Sequence, residues 1–187
     1  MKRSEMEKCV ARALEAYENA HIVLTEDEKA RIEVADFGLN RVEEVGLQLL
    51  TYINTERVCA KEMVLFPYQT CPEHRHVETN GQPGKEETFR CRAGEVFLYV
   101  EGEGKAEDIG GKLPSTPVTV FHEVHLLPGE QYTIMPNTLH WFQGGAQGAV
   151  VSEFSTHSTD ETDVFTDTEI VRMPTIENDR EQMIMGE

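Results

Sequence analysis

The sequence predicts a mainly β protein, a sandwich or small barrel with helices at its N-terminal end. From about Val45 onward, short runs rich in Val, Ile, Leu, Phe, Tyr and Thr alternate with turn residues. Many short strands at close spacing are typical of a sandwich or a small barrel. The chain shows no alternation of strand and helix patterns, which disfavours a parallel α/β barrel.

The chain length suits one domain. A chain of 187 residues can bury a sizeable core, and 39 % of its residues are hydrophobic. We expect a single domain over residues 1–187. Within it we expect a helical segment over 1–38, packed on the barrel or on a partner subunit, and a β-barrel over 45–176.

Two capping-box spacings predict the helices. In such a box a Ser or Thr side chain and a Glu three residues later cap each other's backbone N–H groups. Apolar residues at helical intervals extend the first helix to about residue 19, and Asp36-Phe37-Gly38 ends the helical region. The boxes are Ser4 with Glu7 and Thr25 with Glu28, and the second helix is predicted over 26–34.

Turn signals divide the rest of the chain into nine predicted strands. Gly and Pro pairs such as Ala93-Gly94, Pro128-Gly129 and Gly144-Gly145 separate them. The predicted strands are 46–52, 58–68, 73–77, 86–92, 95–101, 118–127, 130–134, 138–143 and 149–156.

Charge and composition exclude several classes of partner. Acidic residues outnumber basic ones by 34 to 17, and the formal net charge of −17 argues against nucleic acid and anionic membranes. No apolar run approaches the roughly 20 residues that span a bilayer. Glu5 and Glu7 interrupt any signal-peptide pattern, and the four cysteines form no C-x-x-C pair. We therefore expect a cytoplasmic protein with reduced thiols.

A histidine pair predicts a metal site. His74 and His76 are two residues apart on a predicted strand, where alternate side chains share a face. Glu87 lies on the following predicted strand, and His140 comes later in the run MPNTLHWF. Several imidazoles with one carboxylate suit a borderline divalent metal. His122 and His125 are three residues apart, on opposite strand faces, so a second metal site is not expected.

The same residues resemble the two motifs of the cupin superfamily. The pattern is His74-x-His76, then Glu87, then Pro-Gly-Glu and Pro-x-x-x-His140. The resemblance implies a double-stranded β-helix, or jelly-roll, barrel that binds one divalent metal. The spacer from His76 to Glu87 is ten residues rather than three or four, and Gly144 replaces a usual asparagine. Glu86 competes with Glu87 because alternation allows only one inside, and the seven-residue spacing to Gly94 favours Glu87.

A closer resemblance covers about 36–172. The runs GKEETFRCRAGEVFLYVEG, MPNTLHWFQGG and SEFSTHSTDETDVFTD, with the segment ending in CPEHRH, resemble the short bacterial D-lyxose isomerases. This resemblance implies a manganese-dependent enzyme, often a homodimer. It implies interconversion of D-lyxose with D-xylulose and of D-mannose with D-fructose, by proton transfer through a cis-enediol.

Lys85 and Glu153 are the candidate acid–base residues. Lys85 precedes Glu87 by two residues and should share its face, and the resemblance implies a role in ring opening. A neighbouring dication should disfavour its charged form. Glu153 interrupts an apolar strand, as a residue lining a polar cavity would. A surface lysine and an outward-facing glutamate are the alternatives. Asp163 and Phe142 are candidates for contact with a sugar hydroxyl and a sugar face, respectively.

Two other functions stay open from the sequence. A site with three His and one Glu is compatible with a cupin oxygenase that uses iron and O₂. Lys85 and Glu153 argue against it, because an oxygenase has less use for a paired acid and base. A non-catalytic sugar-binding cupin is the third interpretation.

Overall fold

The computed structural model describes residues 1–173 and 175–179, and within them the predicted mainly β fold is confirmed. Two short 3₁₀ turns accompany two α-helices and nine strands. Neither helix has the length and apolar character needed to cross a membrane. The helices are α1 (Arg3–Asn19) and α2 (Glu26–Lys29). The strands are β1 (Glu33–Ala35), β2 (Leu47–Asn54), β3 (Cys59–Leu65), β4 (Thr70–Arg75), β5 (Glu87–Val100), β6 (His122–Leu126), β7 (Gln131–Ile134), β8 (His140–Ser155) and β9 (Val164–Phe165).

The strands form one antiparallel sheet that curls until its two halves face each other. The long strands β5 and β8 run through both halves and pair along their whole length. One half adds β1, β2, β3 and β7, and we call it the β3 half. The other adds β4, β6 and β9, and we call it the β4 half. Apolar side chains from both halves meet in one core, which includes Leu49, Met63, Leu98 and Phe142.

Glycines bend the two long strands without ending them. Gly94 and Gly148 have φ angles of +70° and +75°, and a Cβ on Gly94 would lie 2.1 Å from the Gly148 carbonyl oxygen. The register of β5 shifts on either side of Gly94, as in a β-bulge. The prediction that Ala93-Gly94 and Gly144-Gly145 separate strands is therefore wrong. Both glycine pairs lie inside continuous strands at the bend.

The helix predictions are partly confirmed. The box at Thr25 is present, because the Glu28 N–H donates to Thr25 Oγ1 at 3.3 Å and the Thr25 N–H donates to Glu28 Oε2 at 2.8 Å. The box at Ser4 is wrong, since α1 begins after Lys2 and Ser4 Oγ donates to Asp179 instead. Helix α2 is also shorter than predicted, because residues 33–35 pair with β2.

Helix α1 packs on the outer face of the β3 half. Its buried residues Cys9, Ala13 and Tyr17 join an apolar cluster with Leu50 and other sheet residues. The Tyr17 hydroxyl donates to the Glu62 backbone oxygen at 2.9 Å. The four cysteines are buried and free. The division into a helical segment and a barrel within one domain stays a prediction.

Candidate metal and active site

A small cavity between the two halves of the sheet contains most of the predicted site residues. Apolar side chains such as Leu49, Met63 and Phe89 form part of its wall. The polar side chains that line it are Lys61, His74, His76, Lys85, Glu87, Glu153, Asp160, Asp163 and Arg172.

Three imidazoles converge beside this cavity. His74 lies on β4, His76 follows the last residue of that strand, and His140 begins β8. One ring nitrogen from each lies within 4.8 Å of the others, and all three residues are buried. The convergence expected from the His-x-His spacing is thus present, although β4 itself ends at Arg75.

Hydrogen bonds orient all three rings in the same way. His74 Nδ1 is 2.8 Å from the Pro72 carbonyl oxygen, and His140 Nδ1 is 2.9 Å from that of Thr138. A carbonyl oxygen can only accept, so each Nδ1 must carry the proton. His76 Nδ1 is 2.5 Å from Asp163 Oδ1. The Nε2 atoms of His74 and His140 are therefore unprotonated and available for a ligand, as is usual for metal-binding histidines. His76 Nε2 points to the same place and lies within hydrogen-bond distance of Glu87 Oε1, at 3.1 Å.

Glu87 supplies a carboxylate to this cluster. Its Oε1 lies 3.1 Å from Nε2 of both His76 and His140. Its Oε2 lies 2.7 Å from Lys85 Nζ. Glu87 is 2 % exposed, whereas the side chain of Glu86 faces solvent, so alternation selects Glu87 as the inward residue.

The donor set fits a divalent metal. His140 Nε2 is buried and, among the described residues, makes no hydrogen bond of acceptable geometry despite its closeness to Glu87. A buried imidazole nitrogen without a partner is costly unless a ligand binds it. Three imidazole nitrogens and one carboxylate suit a borderline divalent ion, which would replace the proton on His76. His74, His76, Glu87 and His140 are therefore the residues that could hold it.

The electrostatics of the rings agree with this fit. Burial, together with His140 and His76, holds the pKa of His74 well below its usual value, so its ring stays neutral. Burial acts to lower the pKa of His76, but Glu87 and Asp163 raise it to about 9. The carboxylates that stabilise a proton on His76 would equally stabilise a metal cation in its place.

Lys85 lies among three carboxylates. Its Nζ is 2.7 Å from Glu87, 3.1 Å from Glu153 and 3.3 Å from Asp160. Burial acts to lower the pKa of Lys85, but Glu153, Glu87 and Asp160 outweigh it and hold the pKa well above its usual value. The surrounding protein groups therefore favour the protonated form of Lys85, whereas the sequence analysis expected a nearby dication to disfavour it. Lys85 is buried beside Glu87, and not on the surface.

Glu153 faces the cavity from β8. Besides Lys85, its Oε1 accepts a hydrogen bond from Ser155 Oγ at 3.1 Å and lies 3.6 Å from Lys61 Nζ. The side chain is 3 % exposed, so the alternative of an outward-facing glutamate is wrong. Sequence reasoning missed Lys61. It shares a face of β3 with the buried residues Cys59 and Met63, and this two-residue spacing could have revealed that it points inward.

Asp160 links the cavity to the segment after β8, and the sequence interpretation missed it. Its carboxylate lies 2.6 Å from Lys61 Nζ and 3.4 Å from Arg172 Nη2, in addition to Lys85. Burial acts to raise the pKa of Asp160, but Lys85, Lys61 and Arg172 hold it well below its usual value. Arg172 also pairs with Glu33 of β1 at 2.6 Å. These partners are distant in sequence, and no local pattern marks them.

Asp163 and Phe142 lie at different depths of the site. Burial raises the pKa of Asp163, and its hydrogen bond to His76 opposes this. Asp163 thus touches a ring of the histidine cluster directly. Phe142 is buried in the cavity wall and packs edge-on against Phe89, with ring centroids 4.8 Å apart. Phe165 of β9 lies over His74 at 5.3 Å between ring centroids.

Solved structures share this architecture at low sequence identity. The L-ribose isomerase of Acinetobacter sp. DL28, solved with L-ribose, matches with a TM-score of 0.73 at 17 % identity, covering 95 % of this chain and 98 % of that one. The L-ribose isomerase of Cellulomonas parahominis matches with a TM-score of 0.69 at 16 % identity, covering 90 % and 94 %. These matches support the predicted cupin-like fold.

Sequence comparisons are more specific. The profile of the D-lyxose isomerase family matches residues 25–185. The D-lyxose/D-mannose isomerase of Thermosediminibacter oceani is 59 % identical over 181 residues, covering 95 % of this chain and 99 % of that protein. The D-lyxose ketol-isomerase of Cohnella laeviribosi is 56 % identical over 181 residues, covering 96 % and 100 %. Because the profile and both relatives span nearly the whole chain, the protein belongs to the D-lyxose isomerase family.

Proposed function

We propose that this protein is a metal-dependent aldose–ketose isomerase that interconverts D-lyxose and D-xylulose, and also D-mannose and D-fructose. The observation that carries the proposal is the juxtaposition of two groups in one buried cavity. Three imidazoles converge with Glu87, and Lys85 bridges that carboxylate to Glu153 at 2.7 and 3.1 Å. Isomerisation needs an electrophilic centre and a base close together.

The proposed metal ligands are His74, His76, Glu87 and His140, and the proposed ion is Mn²⁺. The mixed nitrogen and oxygen donors suit it, and the family resemblance favours manganese among the ions that such donors accept. When bound, a divalent ion supplies Lewis-acid polarisation of the sugar oxygens on C1 and C2, an effect of several kcal/mol.

Glu153 is the proposed base. In the direction from aldose to ketose, its carboxylate takes the proton from C2 and returns it to C1. Lys85 Nζ–H donates to the carbonyl oxygen O1 as the C2–H bond breaks, and the proton of the O2 hydroxyl replaces the one that Lys85 gave. Proton positions therefore balance through a cis-enediol. The 3.1 Å contact between Lys85 and Glu153 places the proposed acid and base side by side, as transfer between adjacent carbons requires.

Asp163 and Phe142 are the proposed substrate contacts. Phe142 offers a buried aromatic face in the cavity wall. Asp163 Oδ1 accepts from His76, which leaves Oδ2 to accept a hydrogen bond from a sugar hydroxyl. We further propose that the enzyme is a cytoplasmic homodimer, as the family resemblance suggests.

Metal removal tests the proposal. The purified protein is treated with chelator, dialysed, and assayed for conversion of D-lyxose to D-xylulose with and without added Mn²⁺. We expect activity to disappear on chelation and to return with the metal. No turnover of any pentose or hexose after metal addition would refute an isomerase, and oxygen uptake by the iron-loaded protein would favour the oxygenase alternative.

Two variants separate metal binding from proton transfer. Glu153→Gln should bind Mn²⁺ as the wild type does and lose about 10²–10⁴-fold in turnover. Glu87→Gln should lose metal affinity and activity together. Glu78→Gln, an exposed residue of the loop that precedes Glu87, removes the same charge and should change neither. A Glu153→Gln enzyme with a near wild-type rate would exclude Glu153 as the base.

A further inference from the structure

Helix α1 leaves part of the outer face of the β3 half uncovered. Beyond the helix, two large apolar side chains of this face are exposed to solvent, Ile53 by 49 % and Phe154 by 52 %. Thr88 and Thr133 lie beside them, with their hydroxyl oxygens 2.8 Å apart. We call this surface the open row. In register order across the sheet it consists of Ile53, Ala60, Phe154, Thr88 and Thr133.

Opposite charges flank the open row along one strand. Glu86 and Arg90 stand two residues before and two residues after Thr88, and all three point outward because Glu87 and Phe89 point into the cavity. The Glu86 side chain is exposed, and Arg90 makes an exposed hydrogen bond to Gln131 at 3.1 Å. The row therefore has an acid at one side and a base at the other.

This arrangement is complementary to itself. If two copies met face to face with their β5 strands antiparallel about Thr88, Glu86 of each copy would lie opposite Arg90 of the other. An isologous interface requires this kind of reciprocal contact. A chain with a net charge of −17 repels its own copies, so its dimer contact needs an apolar centre and paired charges. The same net charge disfavours a lipid surface or nucleic acid as the occupant.

We propose that the open row is the interface through which two copies of this chain form a homodimer, with reciprocal Glu86–Arg90 ion pairs at its edges. The inference rests on the homodimer of the proposed function and specifies its surface. The strands involved also form the site. Strand β5 carries Glu87 inward and Thr88 outward, and β8 carries Glu153 inward and Phe154 outward. Dimer formation would therefore rigidify the two strands that hold the proposed ligand and base.

Charge reversal and its repair test the interface. Sedimentation velocity at a series of concentrations gives the dimer dissociation constant of the full chain. Glu86→Arg and Arg90→Glu should each weaken the dimer by about tenfold or more, since each places like charges opposite one another twice. An equimolar mixture of the two variants should form a heterodimer, and the double variant Glu86→Arg/Arg90→Glu should dimerise as the wild type does. Phe154→Ser should weaken all of these species.

Glu103→Arg is the control, because it reverses an exposed charge in a different loop and should leave the dimer unchanged. A monomeric wild type, single variants that stay dimeric, or a mixture and double variant that stay monomeric would each overturn the proposal. Sedimentation is read independently of turnover, so a dimer without isomerase activity would count against the proposed catalysis and not against this interface.

Discussion

The carboxylate of Glu73, the residue before His74, should show a graded response to substitution. Glu73 is fully buried and accepts four hydrogen bonds. Its Oε2 accepts from the backbone N–H groups of Thr119 at 2.6 Å and Val120 at 3.0 Å. Its Oε1 accepts from the hydroxyls of Thr119 at 2.8 Å and Thr166 at 2.6 Å. Glu73 thus links β4 to the segment before β6, through Thr119 and Val120, and to the segment after β9, through Thr166.

The geometry sets the size of each effect. In Glu73→Gln the amide oxygen can accept from both backbone N–H groups, and the hydroxyls can rotate to accept from the amide nitrogen. The variant then keeps all four hydrogen bonds but loses the negative charge of the acceptor. This weakens the two bonds from backbone N–H groups by about 1 kcal/mol each, or about 2 kcal/mol in all. Glu73→Ala removes the acceptor from two partly buried N–H groups and two hydroxyls, which costs about 4 kcal/mol or more.

Thermal and urea unfolding measure the difference. For a chain of this size we expect Tm to fall by about 4–8 °C in Glu73→Gln and by at least twice as much in Glu73→Ala. The exposed Glu103→Gln removes the same charge and should stay within about 0.5 kcal/mol of the wild type. Equal losses in the Gln and Ala variants, or no loss in either, would refute this account of the hydrogen bonds.

Three further predictions concern the metal site. Gly84→Ala should weaken Mn²⁺ binding at least about tenfold by calorimetry, because its Cβ would lie 1.8 Å from the His76 carbonyl oxygen; Gln82→Ala in the same loop should not, and equal affinities would contradict the packing argument. The free energy of unfolding of the metal-free protein should fall by about 3 kcal/mol between pH 6.5 and 9, because His76 loses its proton over that range. The folded pKa of His76 is about 9, above its usual 6.5, so its contribution is complete below pH 6.5 and is lost as the pH rises through 9. Urea unfolding of metal-free His76→Gln should be less pH-dependent by that amount, and an identical pH dependence would refute it. Mn²⁺ at 100 times its Kd should stabilise the wild type by about 2.7 kcal/mol, measured as a rise in Tm that Glu87→Gln does not show.

Strand alternation and turn chemistry predicted most of the fold. Strands 47–54 and 59–65 overlap strands predicted from composition and turn signals, and the box at Thr25 is local, so both were accessible from the sequence. The continuity of the two long strands was not accessible. Gly94 and Gly148 have positive φ angles, and a glycine with a positive φ angle occurs both in β-bulges and in turns, so the sequence does not distinguish the two. The capping box predicted at Ser4 is absent because Ser4 donates its hydrogen bonds to Asp179, which is distant in the sequence.

Residue spacing in the sequence identified the metal-site candidates. It did not reveal the network of charged side chains around them. Lys61 contacts Glu153 and Asp160, which are 92 and 99 positions away in the sequence. Asp160 in turn contacts Lys85, 75 positions away, and Arg172, 12 positions away. Curling of the sheet, and the return of the segment after β8 over its open edge, bring them together. The contact of Asp163 with His76 has the same origin, since this hydrogen bond exists only because that segment folds back.

Local pattern in the sequence was enough to predict the β-rich fold class and the pair His74 and His76 on one face, because both depend on a period of two residues. The choice of Glu87 over Glu86 and the inclusion of His140 came from motif spacing. The folded structure was needed to show that three carboxylates surround Lys85 and that Asp163 orients His76. Those contacts join strands and loops that are far apart in the chain. Their formation depends on how the sheet closes, which no local periodicity encodes.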